Sequence, residues 1–136
     1  MRKYIKIARP DHWIKQLFIL PGSLFAMLLA QEFFGTTDIL WKVVLSFFST
    51  CFIASANYVI NEWLDAEFDK YHPTKKYRSV VSENVKKSIV YLEYAMFTIF
   101  GFVVASFCCK EVLFCQVWLW VMGILYNVKP FRTKDI

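Results

Sequence analysis

Four polar residues recur at a spacing of four, Asn57, Asn61, Asp65 and Asp69. At ~100° per residue each step drifts by only ~40°, so on a helix they form one polar stripe, with Glu67 pointing to the other side. Two carboxylates one turn apart repel each other. A hard divalent cation removes that repulsion, and Mg²⁺ typically takes one or two protein carboxylates plus phosphate oxygens and water. The matching anion site follows at once in Lys70, His72, Lys75, Lys76 and Arg78. Acidic stripe and basic run together compose a site for a metal–diphosphate. The same residues also suit a plainer description, a solvated helix end followed by the positive charges that flank a membrane span. Spacing alone leaves both open.

Those residues have to be positioned by the rest of a chain of 136 residues, 57% hydrophobic and 19% aromatic. Soluble domains carry ~45–50% apolar residues, and one this short has no core large enough to hide the excess. Disorder is excluded by the same composition, and a collagen-like or low-complexity chain by its 4 Gly and 4 Pro. Net charge is +5, but the basic residues sit in clusters between apolar blocks, which suits a membrane protein and argues against nucleic acid as a partner. The four cysteines fit no metal spacing. Cys51 and Cys115 read as small buried hydrophobes within apolar runs, and Cys108-Cys109 as a vicinal pair at a segment end.

The expected fold is all-α and membrane-integral, with four transmembrane helices at about residues 14–34, 39–61, 88–109 and 112–128. Each block approaches the ~17–25 residues that a spanning helix needs. Pro21-Gly22 interrupts the first, and Thr36-Thr37-Asp38 reads as a cap for the second. Helix two meets no breaker before Pro73, so it is expected to continue out of the bilayer and carry the stripe into a long loop over residues 62–87. Fourteen of the sixteen basic residues lie before or within the start of span one, in that loop, or after span four; the opposite loops hold only Lys42 and Lys110. This asymmetry predicts that both termini and the 62–87 loop are cytoplasmic. Glu93, the one charge within span three, lies near the cytoplasmic end and is expected to reach the interface.

The pattern Asn61–Asp65–Asp69 resembles the first aspartate-rich motif of the UbiA-type polyprenyltransferase superfamily. Arg9-Pro10-Asp11-His12-Trp13-Ile14-Lys15-Gln16 resembles the opening segment of its decaprenyl-phosphate phosphoribosyltransferase branch, and His72-Pro73-Thr74-Lys75-Lys76-Tyr77-Arg78 a basic segment of the same branch. Tyr126-Asn127-Val128-Lys129-Pro130-Phe131-Arg132 is similar to the segment that closes the family's fourth helix. Glu62 stands where the family commonly has Asp, Gln16 where it has Asn, and Ser79 where Pro often follows the arginine.

The resemblance implies the N-terminal half of a nine-helix bundle of a bacterial inner membrane, acting in the synthesis of a cell-wall lipid precursor. It implies transfer of phosphoribose from phosphoribosyl diphosphate to a polyprenyl phosphate, or prenyl transfer to an acceptor, with Mg²⁺ as cofactor. Asp65 and Asp69 would be catalytic and, with Asn61, hold the metal. Asn61, Lys15, Lys75, Arg78, Tyr126 and Lys129 would bind substrate. The family carries a second aspartate motif on later helices, so these 136 residues are expected to turn over only when a second half or another copy completes the cavity. The competing expectation is a stand-alone four-helix membrane protein, a small transporter or an assembly partner. Transporters place an ionisable residue near the bilayer midplane, whereas the acids here gather at one boundary.

Overall fold

The computed structural model describes residues 2–22, 25, 36–82 and 85–128. These are helical, with no strand among them. Helix α1 spans Arg2–Ala8 and is followed by a 3-10 segment, Pro10–Phe18. Helix α2 runs Thr36–Asp69, α3 is the single turn Ser79–Ser82, α4 spans Lys87–Ser106 and α5 Lys110–Asn127.

Helix α2 organises the rest. Its 34 residues contain neither Pro nor Gly, and at ~1.5 Å per residue it is ~50 Å long, against a bilayer core of ~30 Å. It therefore carries its last turns well beyond its apolar stretch. It stops at Asp69, four residues before Pro73, which has no N–H to donate to the Asp69 carbonyl and whose ring would clash with that carbonyl in a continuing helix. The helix begins at Thr36, and Asp38 in its first turn pairs with Lys42 at 2.7 Å. By length and apolarity α2 and α4 can each cross a membrane. Helix α5 begins with Lys110-Glu111 and carries Gln116, polar residues that lower its apolarity. The region expected as a loop over 62–87 is largely structured: α2 supplies 62–69, a 3-10 turn covers Lys75–Tyr77, and α3 follows.

Helices α4 and α5 pack along α2 through small residues, as close helix approach in membranes requires. The Ser49 hydroxyl donates to the Gly101 carbonyl at 2.9 Å, and a Cβ on Gly101 would stand 2.6 Å from Ile53 Cδ1. Gly123 likewise leaves room for the Asn57 side chain, which donates to the Leu119 carbonyl at 3.2 Å. Gln116 Nε2 donates to Thr50 Oγ1 at 2.8 Å. Cys51 is buried in this packing, whereas Cys115 is exposed on α5 rather than buried as expected.

Span one is the largest departure from expectation. Residues 10–18 form a 3-10 helix, residues 19–22 are α-helical, and most of the expected span lies outside the described residues. Arg9, ahead of Pro10, takes a left-handed conformation (φ 50°, ψ 56°) that breaks α1 from the 3-10 segment. Its guanidinium lies 5.8 Å from the Tyr58 ring centroid on α2. Trp13 fixes the segment to α2, its indole N–H donating to Ser55 Oγ at 2.9 Å. A second cluster joins α1 to the far end of α2: Ile7, Ala8, Val59 and Val90 are buried together, with Tyr4 and Trp63 against them.

Candidate functional site

The last two turns of α2 bury three acids, Glu62 (5% exposed), Asp65 (7%) and Asp69 (4%), while Glu67 is exposed on the other side. Burial of carboxylates at a helix end needs compensating partners. For Asp69 the partner is Arg78, whose guanidinium donates to Oδ2 at 2.7 Å. For Glu62 it is a backbone amide, Val80 N–H, 3.5 Å from Oε1. Both partners come from the segment that folds back after α2, so Glu62 and Asp69 are walled by their own downstream chain.

The chain returns through a tight turn. The His72 amide donates to the Asp69 carbonyl at 3.2 Å, and the Arg78 amide to the Lys75 carbonyl at 3.0 Å. Arg78 leaves that turn extended, which carries its side chain back to Asp69. Lys75 and Lys76 stay exposed on the turn.

The other expected site residues are placed as follows. Asn61 is half-buried on the same two turns of α2. Lys15 is exposed on the 3-10 segment beside a shallow apolar groove of Ile14, Leu17, Phe18 and Pro21, and makes no hydrogen bond or ion pair among the described residues. Its neighbour His12 sits edge-on to Tyr58, with ring centroids 5.0 Å apart. Burial first, then Arg9 and Lys15, lowers the His12 pKa from its ordinary value. Tyr126 is exposed at the end of α5, and Lys129 lies outside the described residues. Arg78 and Asp69 are thus brought into direct contact, while Lys15 is not joined to them.

Asn57 departs from the expected stripe. Three steps of ~40° accumulate to ~120° between Asn57 and Asp69, so the row spirals away from the acids and Asn57 meets α5 instead. The same arithmetic carries a signal the expectation passed over. Glu62 lies ~20° from Asp69 and ~60° from Asp65, so it shares the acid face. Glu93 also differs: it is half-buried in a groove with Tyr4, Ile5, Leu92 and Met96, and its buried Oε2 has no hydrogen-bond partner among the described residues.

The donor set suits Mg²⁺. No three His, Cys, Asp or Glu side chains close on one point among the described residues. Mg²⁺ requires no such cage, since it keeps water and phosphate oxygens in most positions. Asp65 and Asp69 offer hard oxygens one turn apart, and Asp69 already holds a cationic group against its carboxylate.

The described residues are largely helical, with two membrane-length helices and three buried acids at the end of the longer one, an architecture of the membrane-protein class. The family model for UbiA, the UbiA prenyltransferase family, matches residues 19–136, and the chain belongs to that family. It is accordingly an integral membrane protein. The decaprenyl-phosphate phosphoribosyltransferase of Mycolicibacterium smegmatis is 37% identical over 87 residues, covering 64% of this chain and 27% of that protein. The Corynebacterium glutamicum protein of the same name is 37% identical over 78 residues, 57% of this chain and 23% of that protein. The nodulation protein NoeC of Azorhizobium caulinodans is 33% identical over 86 residues, 60% of this chain and 25% of that protein. The matched segment spans about a quarter of the length of these relatives.

Proposed function

We propose that the end of α2 and the turn after it bind the diphosphate of phosphoribosyl diphosphate, for transfer of phosphoribose to a polyprenyl phosphate. The observation that carries this reading is that Asp65 and Asp69 are both buried one helical turn apart, with Arg78 paired to Asp69. The names of the M. smegmatis and C. glutamicum relatives support the choice of a lipid phosphate acceptor.

In this reading a lipid phosphate oxygen attacks the anomeric carbon, the bond from that carbon to the diphosphate oxygen breaks, and diphosphate leaves with the electron pair. Asp65 and Asp69, with Asn61 beside them, would hold Mg²⁺, which when bound would supply neutralising charge for the leaving group. Arg78 is placed to exchange its carboxylate partner for a phosphate, since guanidinium binds both bidentately. Lys75 adds charge from the exposed turn, and Lys15, Tyr126 and Lys129 complete the proposed substrate contacts. The apolar flank of the 3-10 segment, with Lys15 at its edge, suits an isoprenoid tail below a phosphate. The topology proposed is four spans in a bacterial inner membrane with both termini cytoplasmic, so that donor and site share a compartment.

The test is the purified full gene product in detergent with phosphoribosyl diphosphate, polyprenyl phosphate and Mg²⁺. Formation of lipid-linked phosphoribose that chelator and Asp65→Asn both abolish is the expected result. Product formed equally by Asp65→Asn would overturn the assignment.

A further inference from the structure

We propose that His72 is a positioning residue for this anion site, acting by closing the turn that returns Arg78 to Asp69. The starting point is a shortage of acceptors. Pro73 carries no N–H, and the 3-10 turn Lys75–Tyr77 begins with Thr74 in the capping position but with no side-chain cap from it. The amides of Thr74 and Lys75 are therefore orphan donors at the start of a turn.

Both converge on His72 Nδ1, at 3.3 Å each, and the Thr74 hydroxyl lies 3.2 Å from the same nitrogen. Accepting from these amides needs an Nδ1 without hydrogen, as in the Nε2–H tautomer of imidazole. The side chain thus does what Asn or Asp does in an Asx turn, accepting from the amide two residues on. From there the backbone register is passed forward, Tyr77 N–H to the Thr74 carbonyl at 3.4 Å and Arg78 N–H to the Lys75 carbonyl at 3.0 Å. Arg78 then reaches Asp69 at 2.7 Å, and the His72 amide closes the circuit on the Asp69 carbonyl at 3.2 Å.

Removing the imidazole leaves every charge of the site in place but releases the bearing of Lys75 and Arg78. The consequence belongs to binding of the phosphate donor rather than to the rate once it is bound. That consequence rests on the function proposed above; the turn itself does not.

The experiment compares wild type, His72→Ala and His72→Asn in the full gene product, by two readouts. The first is hydrogen exchange of the Thr74 and Lys75 amides. Exchange roughly fivefold faster in His72→Ala, with His72→Asn close to wild type, is expected for loss and rescue of a shared hydrogen bond. The second is steady-state transfer, where KM for phosphoribosyl diphosphate rises roughly five- to tenfold in His72→Ala, kcat stays within about twofold, and His72→Asn restores KM. Equal exchange in all three proteins, or a His72→Asn protein as impaired as His72→Ala, would overturn the proposal. A wild-type protein that transfers nothing would count against the function, while the exchange comparison would still decide the role of His72.

Discussion

Asp69 and Arg78 meet at 2.7 Å, with side chains only 5% and 22% exposed. A pair like this is costly to break from one side, because the carboxylate that remains is buried without its counter-charge. The guanidinium keeps some contact with solvent, so Arg78→Ala is expected to destabilise the protein by about 2 kcal/mol rather than by the full value for a buried pair. Asp69→Asn added to Arg78→Ala should then recover part of the loss, and Arg78→Lys should fall between, keeping the charge without the planar fork. Thermal unfolding in detergent measures these three and the single Asp69→Asn that completes the cycle. Strictly additive effects would show that the two side chains do not depend on each other.

The elements hold the site at the end of α2 by packing α4 and α5 closely along its length. Gly101 is where this is tightest, since an added Cβ would press on Ile53 Cγ1 and Cδ1 within the packed α2–α4 contact. Gly101→Ala is expected to destabilise by ~1–3 kcal/mol, the usual range for overpacking. Ile53→Ala, which removes the atoms in the way, should cost less in the Gly101→Ala background than in wild type. A double-mutant cycle from unfolding curves checks this, and zero coupling would place the contact elsewhere. The extent of α2 was legible in the sequence because a run without Pro or Gly, apolar and then acidic, leaves helix little competition. The 3-10 form of residues 10–18 was not, because a short mixed polar and apolar run such as Pro10–Phe18 reads alike at either pitch. What holds it in place includes contacts from distant sequence, such as Trp13 with Ser55. Asp65, Asp69 and Arg78 were legible as a group from chemistry and spacing. Glu62 falls outside the four-residue spacing, although three and seven residues from the aspartates put it on their face, and the capping role of His72 depends on a turn geometry that spacing does not report.

At the scale of the whole molecule, membership of the UbiA prenyltransferase family makes the chain an integral membrane protein. Its proposed orientation follows from the fourteen-to-two distribution of basic residues. A cysteine placed at Lys75 in an otherwise cysteine-free protein should resist a membrane-impermeant thiol reagent in intact cells and react after permeabilisation. Labelling in intact cells would reverse the orientation. Asp65 and Asp69 are buried on α2, whereas Glu67, on the opposite side of the same helix, is exposed. Binding of phosphoribosyl diphosphate with and without Mg²⁺, compared across Asp65→Asn, Asp69→Asn and Glu67→Gln in the full gene product, therefore tests the central claim most directly. The two aspartate changes should each weaken Mg²⁺-dependent binding by roughly tenfold or more, the scale of a lost charge-assisted contact, and Glu67→Gln by less than about twofold. A Glu67→Gln protein that loses as much Mg²⁺-dependent binding as the aspartate variants would contradict the assignment of the site to the buried face.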